Sequence, residues 1–275
     1  MRTTIITAGI AAGALALLGV AAPAQAADGD AQLSVLHGVP DVTVDVYVNG
    51  ALTLDDFTPG SLGGPLPLAA GTYSVAITAS DAADASDPVI GPIDLTLESN
   101  SNYTAVAHLG EDGTPTATLF TNDVSTLSAG EGRLTVRHVA AAPAVDVLAG
   151  GTPAISGLTN PNEEVLTLPA GVISASVAAA GTTEPLIGPA DVNVAEGVNT
   201  IVYAWGSLDD DNLDLAVQTI GDLHSNPEGI PAGSAGLVAT NQPFDPTGLW
   251  LGASALVLLA AAVVTAAVTR AKARS

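Results

Sequence analysis

At 275 residues the chain has room for about two domains, and it carries 28 Asp and Glu against 6 Lys and Arg. All 28 acids fall between residues 27 and 248, where Arg133 and Arg137 are the only basic residues, and such a field repels phosphate backbones and excludes nucleic acid as a partner. With no Cys and only 3% aromatic residues, disulfides and thiol nucleophiles are excluded, and any core must be built from Val, Leu, Ile and Ala.

The chain opens with Arg2 and an apolar run from Ile5 to Ala22, followed by Pro23 and the small-residue triplet Ala24-Gln25-Ala26. A charged start, an apolar stretch and an A-x-A site form the pattern of a secretory signal. Residues 1–26 are therefore expected to be removed, leaving a mature chain that begins at Ala27.

Residues 31–123 read as a first β domain. Val44, Val46 and Val48 alternate with Thr43, Asp45 and Tyr47, and Asn49-Gly50 follows. Alternation closed by Asn-Gly predicts a hairpin, because both central residues of a type I′ turn need positive φ. Further strands are expected at Leu33–His37, Leu66–Leu68, Tyr73–Ala79, Ile93–Leu97, Tyr103–Leu109 and Thr116–Phe120. About seven short strands punctuated by Gly, Pro, Asn and Asp predict a small antiparallel, immunoglobulin-like β-sandwich.

Residues 131–221 repeat the first domain. LTVRHVAAAPAVDVLAGG, from Leu134, aligns without gaps on LSVLHGVPDVTVDVYVNG, from Leu33, at an offset of 101. LTLPAG at Leu166 matches LPLAAG at Leu66, PLIGP at Pro185 matches PVIGP at Pro88, and Asn199–Ala204 matches Asn102–Ala107. Four matched blocks in the same order indicate a tandem duplication. The offset falls to 97 because the first copy has three extra residues near Asp81, Asp84 and Asp87. His108 falls opposite Trp205, which marks a position for a large ring.

Residues 222–248 lose the apolar period and become rich in Pro, Gly and Ser, as expected of an extended stalk. Residues 249–269 follow with 21 uncharged, mainly apolar positions, long enough to cross a bilayer as one helix. Trp250 stands at the start of the run, and the tail, residues 270–275, holds Arg270, Lys272 and Arg274. Basic flanks stay inside, so the expected topology is a single pass with the acidic domains extracellular and the C-terminus cytoplasmic. Phe244-Asp245-Pro246-Thr247-Gly248 has the order of a sortase signal but lacks its Leu-Pro, which leaves attachment to the wall as an alternative to retention in the membrane.

The string from His37 through Pro40-Asp41 to Val44-Asp45-Val46-Tyr47-Val48-Asn49-Gly50, then Leu66 to Val75, then Asn102-Tyr103-Thr104-Ala105-Val106-Ala107, resembles the bacterial domain-of-unknown-function family 4397. The second copy departs from it at Ala141-Ala142 and at Gly171-Val172-Ile173. The resemblance implies two extracellular β-sandwiches of a kind found on actinobacterial surface proteins, and implies no activity.

His37 and His138 are matched, and each stands eight residues before a matched aspartate, Asp45 and Asp146. A His–Asp pair suits a catalytic dyad or half a metal site. Strand parity, however, puts His37 on the apolar face with Leu33 and Val35, so the four residues are expected to be structural. Asp209, Asp210, Asp211 and Asp214, with Asn212, form the densest acidic cluster and are the candidates for weak calcium binding, although they lack EF-hand spacing. No G-x-S-x-G elbow, H-E-x-x-H, P-loop or dinucleotide fingerprint occurs, so no catalytic residue or organic cofactor is expected. The sequence thus points to a non-catalytic surface protein serving envelope structure, adhesion or interaction with an envelope polymer or protein. The alternative is an extracellular binder of a carbohydrate, cation or small ligand, and an enzyme is the reading least favoured.

Overall fold

The computed structural model describes residues 29–224. The expected signal peptide, most of the stalk, the membrane span, the basic tail and the sortase-like motif lie outside the described residues. Sixteen strands make up the regular structure. The first eight are β1 (Ala31–Gly38), β2 (Val44–Val48), β3 (Ala51–Phe57), β4 (Leu62–Leu68), β5 (Gly71–Ala79), β6 (Ile90–Leu97), β7 (Asn102–Leu109) and β8 (Pro115–Thr121). The second eight are β9 (Glu131–Ala141), β10 (Val145–Ala149), β11 (Thr152–Leu158), β12 (Glu163–Pro169), β13 (Gly171–Ala179), β14 (Pro185–Val194), β15 (Asn199–Ser207) and β16 (Asp214–Ile220).

These strands form four sheets of four, in the orders β4-β1-β7-β8, β3-β2-β5-β6, β12-β9-β15-β16 and β11-β10-β13-β14. Adding eight to each strand number of the first two sheets reproduces the other two, so both halves share one topology. Leu33 and Ala105 of one sheet meet Val46 and Ile77 of the next in a single apolar cluster. Leu134 and Val202 meet Val147 and Val177 in the same way in the second half. Each half is thus sandwich-like, and each buried Val, Leu or Ile contributes about 1.5–3 kcal/mol by leaving water.

Three expectations need correction. The sheets are not purely antiparallel, because β1 runs parallel to β7 and β9 parallel to β15. A parallel pair cannot be closed by a hairpin and leaves no turn signal; the chain between β1 and β7 supplies the long crossover instead. The strand order also differs from that of a constant immunoglobulin domain, so the likeness stops at two packed sheets. Each half has eight strands rather than about seven; β3 was hidden because its end, Asp55-Asp56, reads as a loop.

The matched blocks have local reasons. Asn49 and Gly50 take φ of 50° and 78°, which forms the tight turn between β2 and β3. In the two Ile-Gly-Pro blocks, Gly91 and Gly188 take φ of 95° and 89°. A Cβ there would come 2.7 Å from the Val75 carbonyl oxygen and 2.9 Å from that of Ala175. Only glycine fits this close approach, and the register shifts at that point in both halves.

The two sandwiches lie in one compact unit. A third apolar cluster joins Leu36, Val106 and Phe120 of the first half to Val139, Ile201, Tyr203 and Trp205 of the second. These residues alternate with the inward ones along their strands. They occupy the outer faces of β4-β1-β7-β8 and β12-β9-β15-β16, which therefore pack on each other.

Candidate functional site

His37 and His138 end the matched strands as inward residues, each only 1% exposed. The His37 Nε2–H donates to the Val42 carbonyl at 2.7 Å, and the His138 Nε2–H to that of Pro143 at 3.0 Å. In both halves the ring thus ties down the loop five residues on, ahead of the Val-Asp-Val strand. His37 also stacks on Phe57, with centroids 5.9 Å apart and planes at 26°. Its Nδ1 has no partner, whereas His138 Nδ1 accepts the Ala140 N–H at 3.4 Å. Burial lowers the pKa of both rings from 6.5 and keeps them neutral, against the raising effect of the carbonyl bonds.

Asp45 and Asp146 do not pair with these histidines in any hydrogen bond or ion pair. Asp146 Oδ1 accepts the Gly157 N–H and its Oδ2 accepts the Gly181 N–H, each at 2.8 Å. Asp45 Oδ1 accepts the Asp56 N–H at 2.9 Å. Gly157 and Asp56 both have positive φ, so each carboxylate braces the bulge where the following strand leaves register.

The carboxylates of Asp45, Asp55 and Asp56 bring ligand atoms within 4.8 Å of one another, with Asp45 buried and the other two exposed. It is the one such group among the described residues, and Asp209, Asp210, Asp211 and Asp214 do not form one. Those four lie at the β15–β16 turn, where Asp214 Oδ1 accepts the Leu215 N–H and Asn212 Oδ1 accepts the Ser207 N–H. The calcium candidates read from the sequence therefore form no such convergent group. The convergent trio needed the bulge, which brings Asp55 and Asp56 back onto the neighbouring strand.

Neither larger surface hollow gathers these residues. One, of about 330 Å³, opens between β14 and β16 over Val192, Leu215 and Val217. The other, of about 350 Å³, lies where Gln32, Asn100 and Asn102 meet Val124 and Gly221. His37, His138 and the acidic clusters line neither.

The densest polar constellation is at the junction of the sandwiches, and it was missed in the sequence. Arg137, 1% exposed, donates from Nε to Glu163 Oε2 at 2.7 Å, and from its two terminal nitrogens to the Tyr203 hydroxyl and to Asn122 Oδ1, each at 2.8 Å. Its guanidinium lies 4.3 Å from the centre of the Phe120 ring. The Tyr203 hydroxyl donates to Gln218 Oε1 at 2.5 Å, and Thr104 donates to the same oxygen at 3.0 Å. The Gln218 amide then donates to Ser34 at 3.2 Å, which completes a chain of bonds between the halves. Burial raises the Tyr203 pKa above 10, against the lowering effect of Arg137 beside it. Arg133, 4% exposed, clamps the connection by donating to the carbonyls of Asp123 and Ser125 and to the Ser125 hydroxyl.

Both cations of the region are therefore spent on the junction. The available signal was the strand pattern itself: NTIVYAWGS is apolar or aromatic on both faces, which a sheet with one wet face does not need.

No curated protein matches the chain. Residues 31–148, from β1 through most of β10, match one copy of a family model described as Domain of unknown function (DUF4397).

Proposed function

We propose that this is a non-catalytic cell-surface protein, held by one C-terminal membrane helix, which displays two tandem DUF4397-like sandwiches as one acidic body for envelope structure, adhesion or interaction. The observation that carries this reading is the fate of the two arginines. Both are buried at the junction, so the charge that the described residues offer outward is carboxylate. Such a surface favours solubility and cationic partners and repels anionic polymers. The secretory pattern before Ala27 and the apolar run before the basic tail supply the proposed location.

The test is protease shaving of whole cells, combined with N-terminal sequencing of the membrane fraction. A broad-specificity protease is required, because between residues 27 and 248 trypsin has only Arg133 and Arg137 to cut. The expected result is a mature start at Ala27 and loss of both sandwiches from intact cells. An intact Met1, or an ectodomain protected until lysis, contradicts the proposal.

A second reading, extracellular cation binding, is favoured by the Asp45, Asp55 and Asp56 carboxylates, which are the hard oxygen donors that calcium takes. Calorimetric titration of the protein with calcium tests it. Millimolar binding that Asp55→Asn abolishes supports this reading, and no heat removes it.

A further inference from the structure

The strand registers make the two outer faces comparable position by position. Gly38 lies opposite His108 in the first half, as Val139 lies opposite Trp205 in the second. Thr104 lies opposite Phe120, as Ile201 lies opposite Gln218. Counting along the strands, Leu36 corresponds to Arg137, Val106 to Tyr203 and Asn122 to Ile220. The inward positions beside them, Leu33 and Leu134, Val35 and Val136, His37 and His138, and Ala107 and Ala204, are filled alike, and these outward ones are filled differently.

We propose that the outer face of β4-β1-β7-β8 is a docking face specific for the outer face of β12-β9-β15-β16. The halves then hold each other without the peptide between them, and neither pairs with a copy of itself. The occupant each face fits in trans is the opposite half of another copy of this chain.

The contacts across the junction argue for this specificity. Trp205 packs over Gly38, where an added Cβ would stand 3.4 Å from the Trp205 Cβ and 3.1 Å from the Ala107 carbonyl oxygen. It also covers Gly60, whose added Cβ would stand 3.0 Å from the indole. In a pair of two second halves, Val139 would replace Gly38 under the indole and add an isopropyl group to an already closed contact. Arg137 would face Ile220 and Gln218 in place of Asn122 and Phe120, losing a hydrogen bond and a ring while remaining buried. Its ion pair with Glu163 stays within the half, but a buried guanidinium N–H that loses its acceptor is costly. Gln218 would meet Thr135 and Ile201 in place of Ser34 and Thr104, and its Oε1 would lose the hydrogen bond that Thr104 donates.

A pair of two first halves fails differently. His108 is too small to fill the space of Trp205. Leu36 would replace the guanidinium against Asn122 and leave its Oδ1 only the 3.4 Å bond from Thr104 of its own half. Thr104 would meet Phe120 instead of Gln218. Each like pairing thus costs buried polar groups some of their partners, and selection of one partner over another works through such losses as much as through good contacts. Asn160 reinforces the correct pairing by donating to Leu109 of the first half and Ala140 of the second, at 2.8 and 2.6 Å.

The test cuts the connection in the assembled protein. A protease recognition sequence is placed between Ser128 and Ala129, both exposed, in the full chain held in detergent, and the chain is nicked there. The two pieces are expected to elute together. When nicked protein is mixed with an isotope-labelled copy, native mass spectrometry is expected to show first-with-second pairs only, including mixed-label ones. Gln218→Leu, which folds before nicking as judged by circular dichroism, should weaken the association of the pieces at least tenfold. Pieces that part on nicking, pairs of like halves, or a Gln218→Leu protein that holds as firmly as the parent overturn the proposal. If Gln218→Leu does not fold, Ser34→Ala, which removes one of the Gln218 bonds, takes its place with the same reading.

Discussion

The two sandwiches repeat each other in their interiors and differ where they touch. His37 and His138 bond the same loop, Asp45 and Asp146 brace the same bulge, and Gly91 and Gly188 make the same close approach. On the outer faces, by contrast, Leu36 stands for Arg137, Gly38 for Val139, and His108 for Trp205. Residues that direct the chain recur in both copies, while residues that direct pairing are complementary between them. A duplicated domain can hold one fold twice and still build a single asymmetric interface, because sheet sidedness separates the two tasks.

The largest expected effect comes from making the copies alike at the junction. Arg137→Leu installs the residue of the first copy and leaves Asn122, Tyr203 and Glu163 without their shared donor. Breaking a buried ion pair from one side costs about 3–5 kcal/mol. Glu163 keeps some solvent, so the expected loss is about 3 kcal/mol, read as a drop in unfolding free energy by denaturant titration. An effect below about 1 kcal/mol would mean that the arginine is incidental to the pairing.

The bulge aspartates sharpen the comparison. Asp146 accepts two backbone N–H groups and Asp45 one, so Asp146→Ala should cost more than Asp45→Ala. At about 1.5–3 kcal/mol for a bond to a charged group, the expected difference is that of one bond, about 1.5–3 kcal/mol. Equal losses would show that the second bond contributes nothing.

The histidines give a smaller, pH-dependent effect. His37→Ala is expected to cost about 1–3 kcal/mol, because the Val42 carbonyl loses its donor. Burial lowers the pKa of His37, His108 and His138 below 6.5; at His108 the neighbouring His138 lowers it further. Below about pH 6.5 the unfolded chain therefore binds more protons than the folded one. Stability is full above that pH and falls as the pH drops, with a slope of at most about 1.4 kcal/mol per pH unit for each histidine. Thermal melts between pH 7.5 and 5 check the sign, and His108→Gln should flatten the slope.

The smallest effect concerns the acidic trio. Asp55→Asn should raise the melting temperature slightly by removing one of three crowded negative charges, and millimolar calcium should raise that of the parent more than that of the variant. Calcium that leaves both melting curves unmoved would return the trio to ordinary solvated acidity.

Much of the repeated interior was legible in the sequence, because it rests on local signals. Val44 to Gly50 declares its hairpin, and the Ile-Gly-Pro blocks recur as strings. The β1–β7 and β9–β15 pairs were not legible, since parallel neighbours are joined through distant chain and leave no turn between them. Arg137 counts in the sequence only as charge, because Asn122 lies across the contact between the halves and Tyr203 on a strand distant in the chain, and no local pattern encodes either. The convergence of Asp45, Asp55 and Asp56 was not legible for a similar reason: density along the chain marks Asp209–Asp211, whereas the trio meets only through the bulge at Asp56.

The most direct measurement is scanning calorimetry of the intact protein, following the transition of the two sandwiches. Halves locked by the bonds of Arg137 to Asn122 and of Gln218 to Thr104 and Ser34 should melt together, in one transition whose calorimetric and van't Hoff enthalpies agree. Two separated transitions, each with about half the heat and neither moved by Arg137→Leu, would show two independent domains on a string and contradict the shared interface.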